Sequence, residues 1–278
     1  MEVMIMIEAL SYEFMRNALY AGLLASVVCG VIGTLVVVNR IVFLAGAVAH
    51  AAYGGVGLAY FLGWPVLPCT VGFSVAAGGL MAGATAKGMD KADRFIGALW
   101  AGGMALGILL LDFTPGYNVD LMSFLFGSIM AVPRADIWMM LALDVLIIVL
   151  VLYFYKDFMA LSFDREFAAT RGIPVLMLHF LMLAMVGASV VMVIRVVGLI
   201  LVIALLTIPS SIALSRARSL GGMMALSTVL AAVFCMIGLA LAYALNLTSG
   251  AAIISVAVVG QALDALWRKV AHSGEGEA

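Results

Sequence analysis

The chain is built from apolar runs, each close to 20 residues long, which short polar segments separate. A helix of about 20 residues spans the roughly 30 Å hydrocarbon core of a bilayer. The candidate runs occupy residues 17–38, 45–62, 66–86, 95–111, 137–155, 174–194, 196–214, 222–243 and 250–267. Charged residues make up 10% of the chain, whereas soluble domains carry about 25%. The pattern therefore predicts an all-α polytopic membrane protein in which residues 1–270 form a single transmembrane domain.

Two features leave the number of crossings at eight or nine. Residues 119–132 are apolar but short, which predicts a re-entrant or partial helix rather than a crossing. Pro209 lies within the run 196–214 and can break it, because proline removes a backbone donor and clashes with the preceding turn. The N-terminal sequence MEVMIMIEALSYEF is acidic and lacks a small-residue cleavage site, so no signal peptide is expected. The tail 271–278, which contains His272, is small and polar and is expected to be disordered and cytoplasmic.

The basic residues predict the orientation, since cytoplasmic loops collect Lys and Arg. With the N-terminus outside and the C-terminus inside, 11 of the 14 basic residues face the cytoplasm and 3 face outward. The cytoplasmic set is Arg40, Lys87, Lys91, Arg94, Lys156, Arg165, Arg171, Arg216, Arg218, Arg268 and Lys269, and the outer set is Arg16, Arg134 and Arg195. The opposite orientation would reverse this ratio. The choice requires residues 119–132 not to cross.

Several functional classes lack the residues that they need. The net charge of −1 gives no indication of nucleic-acid binding, and no P-loop, GxSxG or HExxH motif occurs. No single span contains a pair of carboxylates, so nothing predicts an enzyme. Cys29, Cys69 and Cys235 lie in apolar runs at unrelated spacings, which predicts free thiols rather than disulfides or a zinc site.

His50 is the main candidate for function, because ionisable side chains inside a membrane are rare and functional by default. It lies in the string FLAGAVAHAAYGG, residues 43–55. Small residues predominate around it: Gly46, Ala47, Gly54, Gly57 and Leu58 lie three, four, seven or eight positions away on the same helix face, and Ala51 adjoins it. Such a face admits another helix closely or leaves a cavity. The imidazole is then either a metal ligand or a structural histidine bonded to a carbonyl of a neighbouring helix.

Three further ionisable residues lie within or near the spans. Asp144 must face protein or water, so it either joins a cation pathway or pairs with Arg134 or Arg195. His179 lies near the start of its span and is expected to order that helix end, with a role in a cation pathway as the less favoured alternative. Asp264 is expected to pair with Arg268, four residues later on the same helix.

The longest cytoplasmic stretch, KDFMALSFDREFAATRGIPV at 156–175, contains a predicted short helix, DREFAATR. Asp164 is its expected N-cap, and Gly172 followed by Pro174 is the stop signal. The helix is either a docking surface for a soluble partner or an ordinary connection. Pro209, in LLTIPSSIALSRAR, predicts a kink near the cytoplasmic mouth, where Ser210 and Ser211 can satisfy the freed backbone groups. The kink suits a moving gate and a static bend equally.

Three strings in this order resemble the membrane permease subunits of the ABC importers for zinc, manganese and iron. They are GVIGTLVVVNRIVFLAGAVAHAAYGGVGLAYFLG (30–63), LSFDREFAATRGIP (161–174) and VVGLILVIALLTIPSSIALSRARS (196–219). The resemblance implies a type II ABC-importer-like fold in the cytoplasmic membrane of a bacterium or archaeon. It also implies a homodimeric pore, cytoplasmic ABC ATPase subunits beneath it and an extracytoplasmic metal-binding protein above.

The resemblance also assigns residues. His50 matches the pathway histidine of the second helix, and Asp164, Glu166, Ala168 and Gly172 belong to the element that couples to the ATPase. Many members of the family place an aspartate four residues before this histidine, where this chain has Gly46. Fewer carboxylates favour zinc over manganese, although Asp144 or a ligand from the second protomer can compensate.

These features predict a permease that imports a divalent cation, zinc first and manganese or iron next. It holds no permanent cofactor and uses ATP only through its partner. A self-sufficient ion-coupled transporter and a non-transporting membrane scaffold are the alternatives.

Overall fold

The computed structural model of the chain describes residues 12–85, 92–115, 129 and 132–275, except for the side chains of residues 92–94, 195, 196 and 271–275. These residues form helices and no strands. The helices are α1 (Glu13–Val38), α2 (Val42–Leu62), α3 (Val66–Thr85), α4 (Ala92–Asp112), α5 (Arg134–Tyr153), α6 (Tyr155–Phe163), α7 (Arg165–Thr170), α8 (Val175–Val197), α9 (Leu199–Leu214), α10 (Leu220–Leu245) and α11 (Ser249–Glu275). The predicted all-α membrane architecture is confirmed.

Eight of these helices are long and apolar enough to cross a membrane, namely α1 to α5, α8, α10 and α11. The shorter α9 has 16 residues and is about 24 Å long. Only Gly198 separates it from α8, with φ of 85°, a left-handed conformation that glycine adopts without steric penalty. Each predicted apolar run corresponds to one of these nine helices.

One end of the bundle gathers the segments that the basic residues place in the cytoplasm. The Asn39 side chain at the end of α1 donates to Ser162 Oγ of α6 at 2.9 Å, and the backbone N–H of Gly221 at the start of α10 donates to the Tyr155 hydroxyl at 3.0 Å. Arg216, just after α9, binds Asp264 of α11. Because α8 starts at this end and α9 finishes there, the path of the chain agrees with nine crossings.

The opposite end holds the beginnings of α1 and α5. Arg134 Nε lies 2.7 Å from Glu13 Oε1, and the Asn17 amide donates to the Val132 carbonyl at 3.2 Å. The predicted re-entrant segment 119–132 falls outside the described residues apart from Ile129 and Val132, which are both buried.

Two details differ from the sequence predictions. The stretch after α5 contains α6 (Tyr155–Phe163) in addition to the expected short helix, and the sequence had not indicated this helix. Helix α11 continues to Glu275, whereas the tail was expected to begin at residue 271; the disorder of the tail stays a prediction. Residues 276–278 lie outside the described part of the chain.

Helix α1 occupies the centre and packs against α10, α9, α5 and α8. Helix α2 packs chiefly against α4 and α3. The approach of α2 to α4 is so close that a methyl group on Gly103 would lie 2.5 Å from the Cα of Ala51, and one on Gly107 would lie 2.5 Å from the Tyr53 carbonyl oxygen. The two backbones therefore touch directly, as small residues permit in membrane helices.

A candidate metal pathway at His50

His50 lies eight residues into α2, about 12 Å along the helix from its cytoplasmic start. Its side chain is half-buried within the protomer. A ring in this position is neither sealed inside the bundle nor fully exposed. It can therefore be reached from outside the protomer.

Two side chains of α4 contact the imidazole. The Trp100 indole stacks on it with ring centroids 4.1 Å apart and planes inclined by 19°. The Met104 sulfur lies 3.0 Å from Nδ1. Trp100 and Met104 are one helical turn apart on the same face of α4, and the backbone contact at Gly103 holds this face against α2.

The other ring nitrogen, Nε2, has no hydrogen-bond partner among the described residues. The described contact of the ring is thus a thioether rather than the backbone carbonyl considered from the sequence. Nδ1 is therefore in contact with Met104, and Nε2 remains available to a ligand.

The position one turn before His50 is also covered by α4. A methyl group on Gly46 would lie 3.4 Å from the Trp100 ring. An indole therefore lies next to Gly46, the position at which many members of the family have an aspartate.

One protomer does not hold a complete metal site in its described residues. No group of three or more His, Cys, Asp or Glu side chains is close enough to bind a metal ion there. His50 is the one predicted ligand that lies in an accessible place.

Asp144 lies elsewhere. Its side chain is 3% exposed, is located on α5, which packs against α1 and α8, and lies near the Cys29 thiol of α1. Its Oδ2 has no hydrogen-bond partner in the described structure. The expected pairing with Arg134 is absent, because Arg134 contacts Glu13, and the Arg195 side chain is outside the described part. The structure does not bring Asp144 together with His50.

Two other ionisable residues that the sequence singled out, His179 and Asp264, have partners in the structure. His179 is buried and its Nε2 lies 3.0 Å from the Thr85 hydroxyl, so it orders the contact between α8 and α3. Arg268 lies 2.9 Å from Asp264 Oδ2, as predicted. Asp264 Oδ1 also accepts from Arg216 Nε at 2.9 Å, a contact that the sequence did not indicate.

The predicted coupling residues form a compact cytoplasmic element. Asp164 caps α7, since its Oδ1 accepts the backbone N–H of Phe167 at 2.9 Å, and Gly172 ends the turn with φ of 76°. Ala168 is completely buried, whereas Glu166 and Phe167 are exposed. Helix α7 is therefore anchored on one side and presents the other to solvent.

Pro209 is buried inside α9, which is helical from Leu199 to Leu214. The expectation that Ser210 satisfies the backbone groups freed by the proline is wrong, because its Oγ has no hydrogen-bond partner in the described part of the chain. A methyl group on Gly33 would lie 2.7 Å from this Oγ, so α1 packs directly against the proline turn. The three cysteines are free thiols, as predicted.

Sequence reasoning missed Trp100 and Met104. Their spacing of four residues and the two glycines Gly103 and Gly107 were the available signals, since they place two large side chains beside a face that approaches another helix. The sequence does not show which helix that is.

A bundle in which eight of the described helices are long and apolar enough to cross a membrane has the architecture of a multi-pass membrane protein. The chain belongs to the ABC 3 transport family, whose profile matches residues 11–266. It is a permease of an ABC transporter for a metal.

The relatives agree with this assignment. The chain is 48% identical over 264 residues to an uncharacterized membrane protein of Synechocystis sp., covering 95% of this chain and 94% of the relative. It is 33% identical over 257 residues to the manganese transport system membrane protein MntC of Listeria monocytogenes, covering 92% and 91%. Among solved structures, PsaBC from Streptococcus pneumoniae in complex with Fab matches with a TM-score of 0.85 and 28% identity, covering 94% and 95%.

Proposed function

We propose that two copies of this chain form the translocation pathway of an importer for manganese in the cytoplasmic membrane of a bacterium or archaeon. The observation that carries the proposal is the half-buried His50, whose Nε2 is available to a ligand. Manganese takes the first place because the Listeria relative, similar over nearly the whole chain, is a manganese transport protein. This reverses the order expected from the sequence.

Zinc is the second candidate, and the donor chemistry favours it. The contacts of His50 within the protomer are a thioether and an indole, and neutral imidazole suits borderline cations, whereas manganese prefers carboxylate oxygen. Two imidazoles, one from each copy, would hold a cation with fewer protein ligands than a structural zinc site. A conduit needs such weak binding, because the ion must also leave.

The driving force comes from partner subunits that dock at α7 and that themselves bind and hydrolyse ATP. Three observations support this docking surface. Phe163 is 76% exposed and Phe167 is 49% exposed, and Arg171 lies over the Phe167 ring at 5.1 Å. Large exposed apolar side chains on a helix outside the membrane spans mark a surface that binds protein. An extracytoplasmic binding protein delivers the cation at the opposite end.

The test is cation uptake into proteoliposomes that contain the chain with its ATPase and a delivering protein. We expect ATP-dependent uptake of manganese that exceeds uptake of zinc at equal free concentration. His50→Ala removes the pathway ligand and should abolish uptake while ATPase binding persists. The matched control, His272→Ala, lies in the C-terminal tail and should transport as the unmodified chain does.

Each result has a distinct meaning. Full uptake by the His50→Ala variant would refute the pathway role of His50. Uptake without any ATPase would identify a self-sufficient transporter instead. If the transporter prefers zinc, the pathway role of His50 would stand, and the cation would be zinc, as expected from the sequence.

A further inference from the structure

An imidazole can bind a cation only through a nitrogen that carries a lone pair, and its other nitrogen is then protonated. The hydrogen bond made by the protonated nitrogen decides which tautomer is present. In metal sites that bond commonly goes to a carboxylate, a backbone carbonyl or water. The neighbour of His50 Nδ1 is the Met104 sulfur, at 3.0 Å.

A thioether has no proton to give, so Met104 can only accept. The contact therefore requires the proton on Nδ1 and leaves the lone pair on Nε2. Nε2 is the nitrogen that has no hydrogen-bond partner in the described part of the protein. The nitrogen that carries the lone pair is thus the same one that is free to bind a cation.

The ring plane is fixed as well. Trp100 stacks on the imidazole at 4.1 Å, and its indole also lies next to Gly46 of α2. Because Gly103 holds α4 against the α2 backbone, the sulfur and the indole keep their positions relative to His50.

We propose that Met104 is a positioning residue that holds His50 in the tautomer with Nε2 as metal donor, through an Nδ1–H···S hydrogen bond, while Trp100 fixes the ring plane. Met104 does not touch the cation. The consequence for transport rests on the proposed function, but the tautomer itself does not.

The experiment uses nitrogen NMR of the imidazoles in the full chain, labelled at histidine and held in lipid nanodiscs. The chain has 3 histidines, so the His50 signals are assigned by their loss in His50→Ala. We expect a neutral ring with the proton on Nδ1. Met104→Leu keeps the apolar volume but cannot accept a hydrogen bond, and it should release this preference. Met104→Gln offers an amide oxygen and should keep it.

Manganese and zinc uptake in the reconstituted transporter should be impaired in Met104→Leu and largely retained in Met104→Gln. Loss of a residue that orients a metal ligand typically lowers affinity by about 10-fold or more. We therefore expect the KM for the cation to rise about 10-fold in Met104→Leu and to return toward the original value in Met104→Gln.

Three results would overturn the proposal. The first is a proton on Nε2 in the unmodified chain, and the second is a tautomer that Met104→Leu leaves unchanged. The third is a changed ratio of manganese to zinc uptake in Met104→Gln although the tautomer is preserved. That result would make Met104 a direct ligand of the cation. If Met104→Leu fails to fold, the tautomer of the unmodified chain and of Met104→Gln still decides. A chain that shows the expected tautomer but moves no cation would refute the proposed function and leave the positioning role standing.

Discussion

At the scale of single residues, the two buried aspartates show what a membrane bundle demands of a carboxylate. Asp264 is 5% exposed and Asp144 is 3% exposed. Asp264 binds Arg216 and Arg268, whereas Asp144 Oδ2 has no partner in the described structure. Burial of a polar group is costly unless hydrogen bonds compensate for the lost water. The two residues should therefore respond differently to loss of charge.

We expect Asp264→Asn to lower the free energy of unfolding by about 1.5–3 kcal/mol, the contribution of hydrogen bonds to charged groups. Asp144→Asn, the matched control, removes no ion pair that the structure describes and should retain the stability and cation uptake of the unmodified chain. Thermal unfolding in detergent compares the two. Loss of uptake in a stable Asp144→Asn variant would return Asp144 to the pathway.

The sequence was sufficient to single out His50, because a lone imidazole among small apolar residues is conspicuous in a span. It could not reveal the partners of His50. A thioether and an indole are ordinary residues of an apolar helix, and only the packing of α4 on α2 gives Met104 and Trp100 their position. In the same way, Asp264 was matched with Arg268 because both are on one helix, while Arg216 comes from a distant one.

At the scale of helices, the contact between α2 and α4 depends on the absence of side chains at defined positions. A methyl group on Gly103 would meet the Ala51 backbone at 2.5 Å, whereas one on Gly102, the preceding residue, would meet nothing within 4 Å. Backbone cannot move aside as a flexible side chain can. The two neighbouring glycines thus differ in what they tolerate.

We expect Gly103→Ala to separate α4 from α2, to lower the thermal midpoint by several degrees and to impair uptake. Overpacking of this kind costs about 1–3 kcal/mol. Gly102→Ala should preserve both properties, since alanine also has the higher helix propensity. Equal melting temperatures for the two variants would contradict the close packing of the helices.

The helices themselves were largely predictable, because an apolar run of fixed length has one stable form in a bilayer. The local signals also held, as the Asp164 cap and the Gly172 stop show. Helix α6 was missed because its composition is mixed and lacks a periodic apolar run. The helical residues 271–275 continue α11 beyond the apolar part that composition can identify.

At the scale of the whole molecule, a hydrogen bond connects the segment proposed to dock the ATPase with the end of α1, just before the proposed pathway helix α2. The Asn39 amide donates to both the Leu35 carbonyl and Ser162 Oγ, at 2.8 and 2.9 Å. Ser162 is two residues before the cap of α7, and Asn39 is three residues before α2. A displacement of α7 can therefore be transmitted to the start of α2.

We expect Ser162→Ala to weaken this connection, so that ATP is still hydrolysed while fewer cations are imported per ATP. The control is Ser255→Ala, which removes only a bond within α11 to the Ala251 carbonyl. Simultaneous measurement of phosphate release and cation uptake gives the ratio. An unchanged ratio in Ser162→Ala would show that α7 acts on the bundle by another route.

The backbone contact between α2 and α4 has a further consequence for an alternating conduit. Two rods locked together at Gly103 and Gly107 cannot slide past each other without collision. In the transport cycle proposed above, His50, Trp100 and Met104 would then move together as one rigid unit. The groups that one protomer offers to the cation would be the same in both orientations, so any change in its surroundings would come from the position of the second copy.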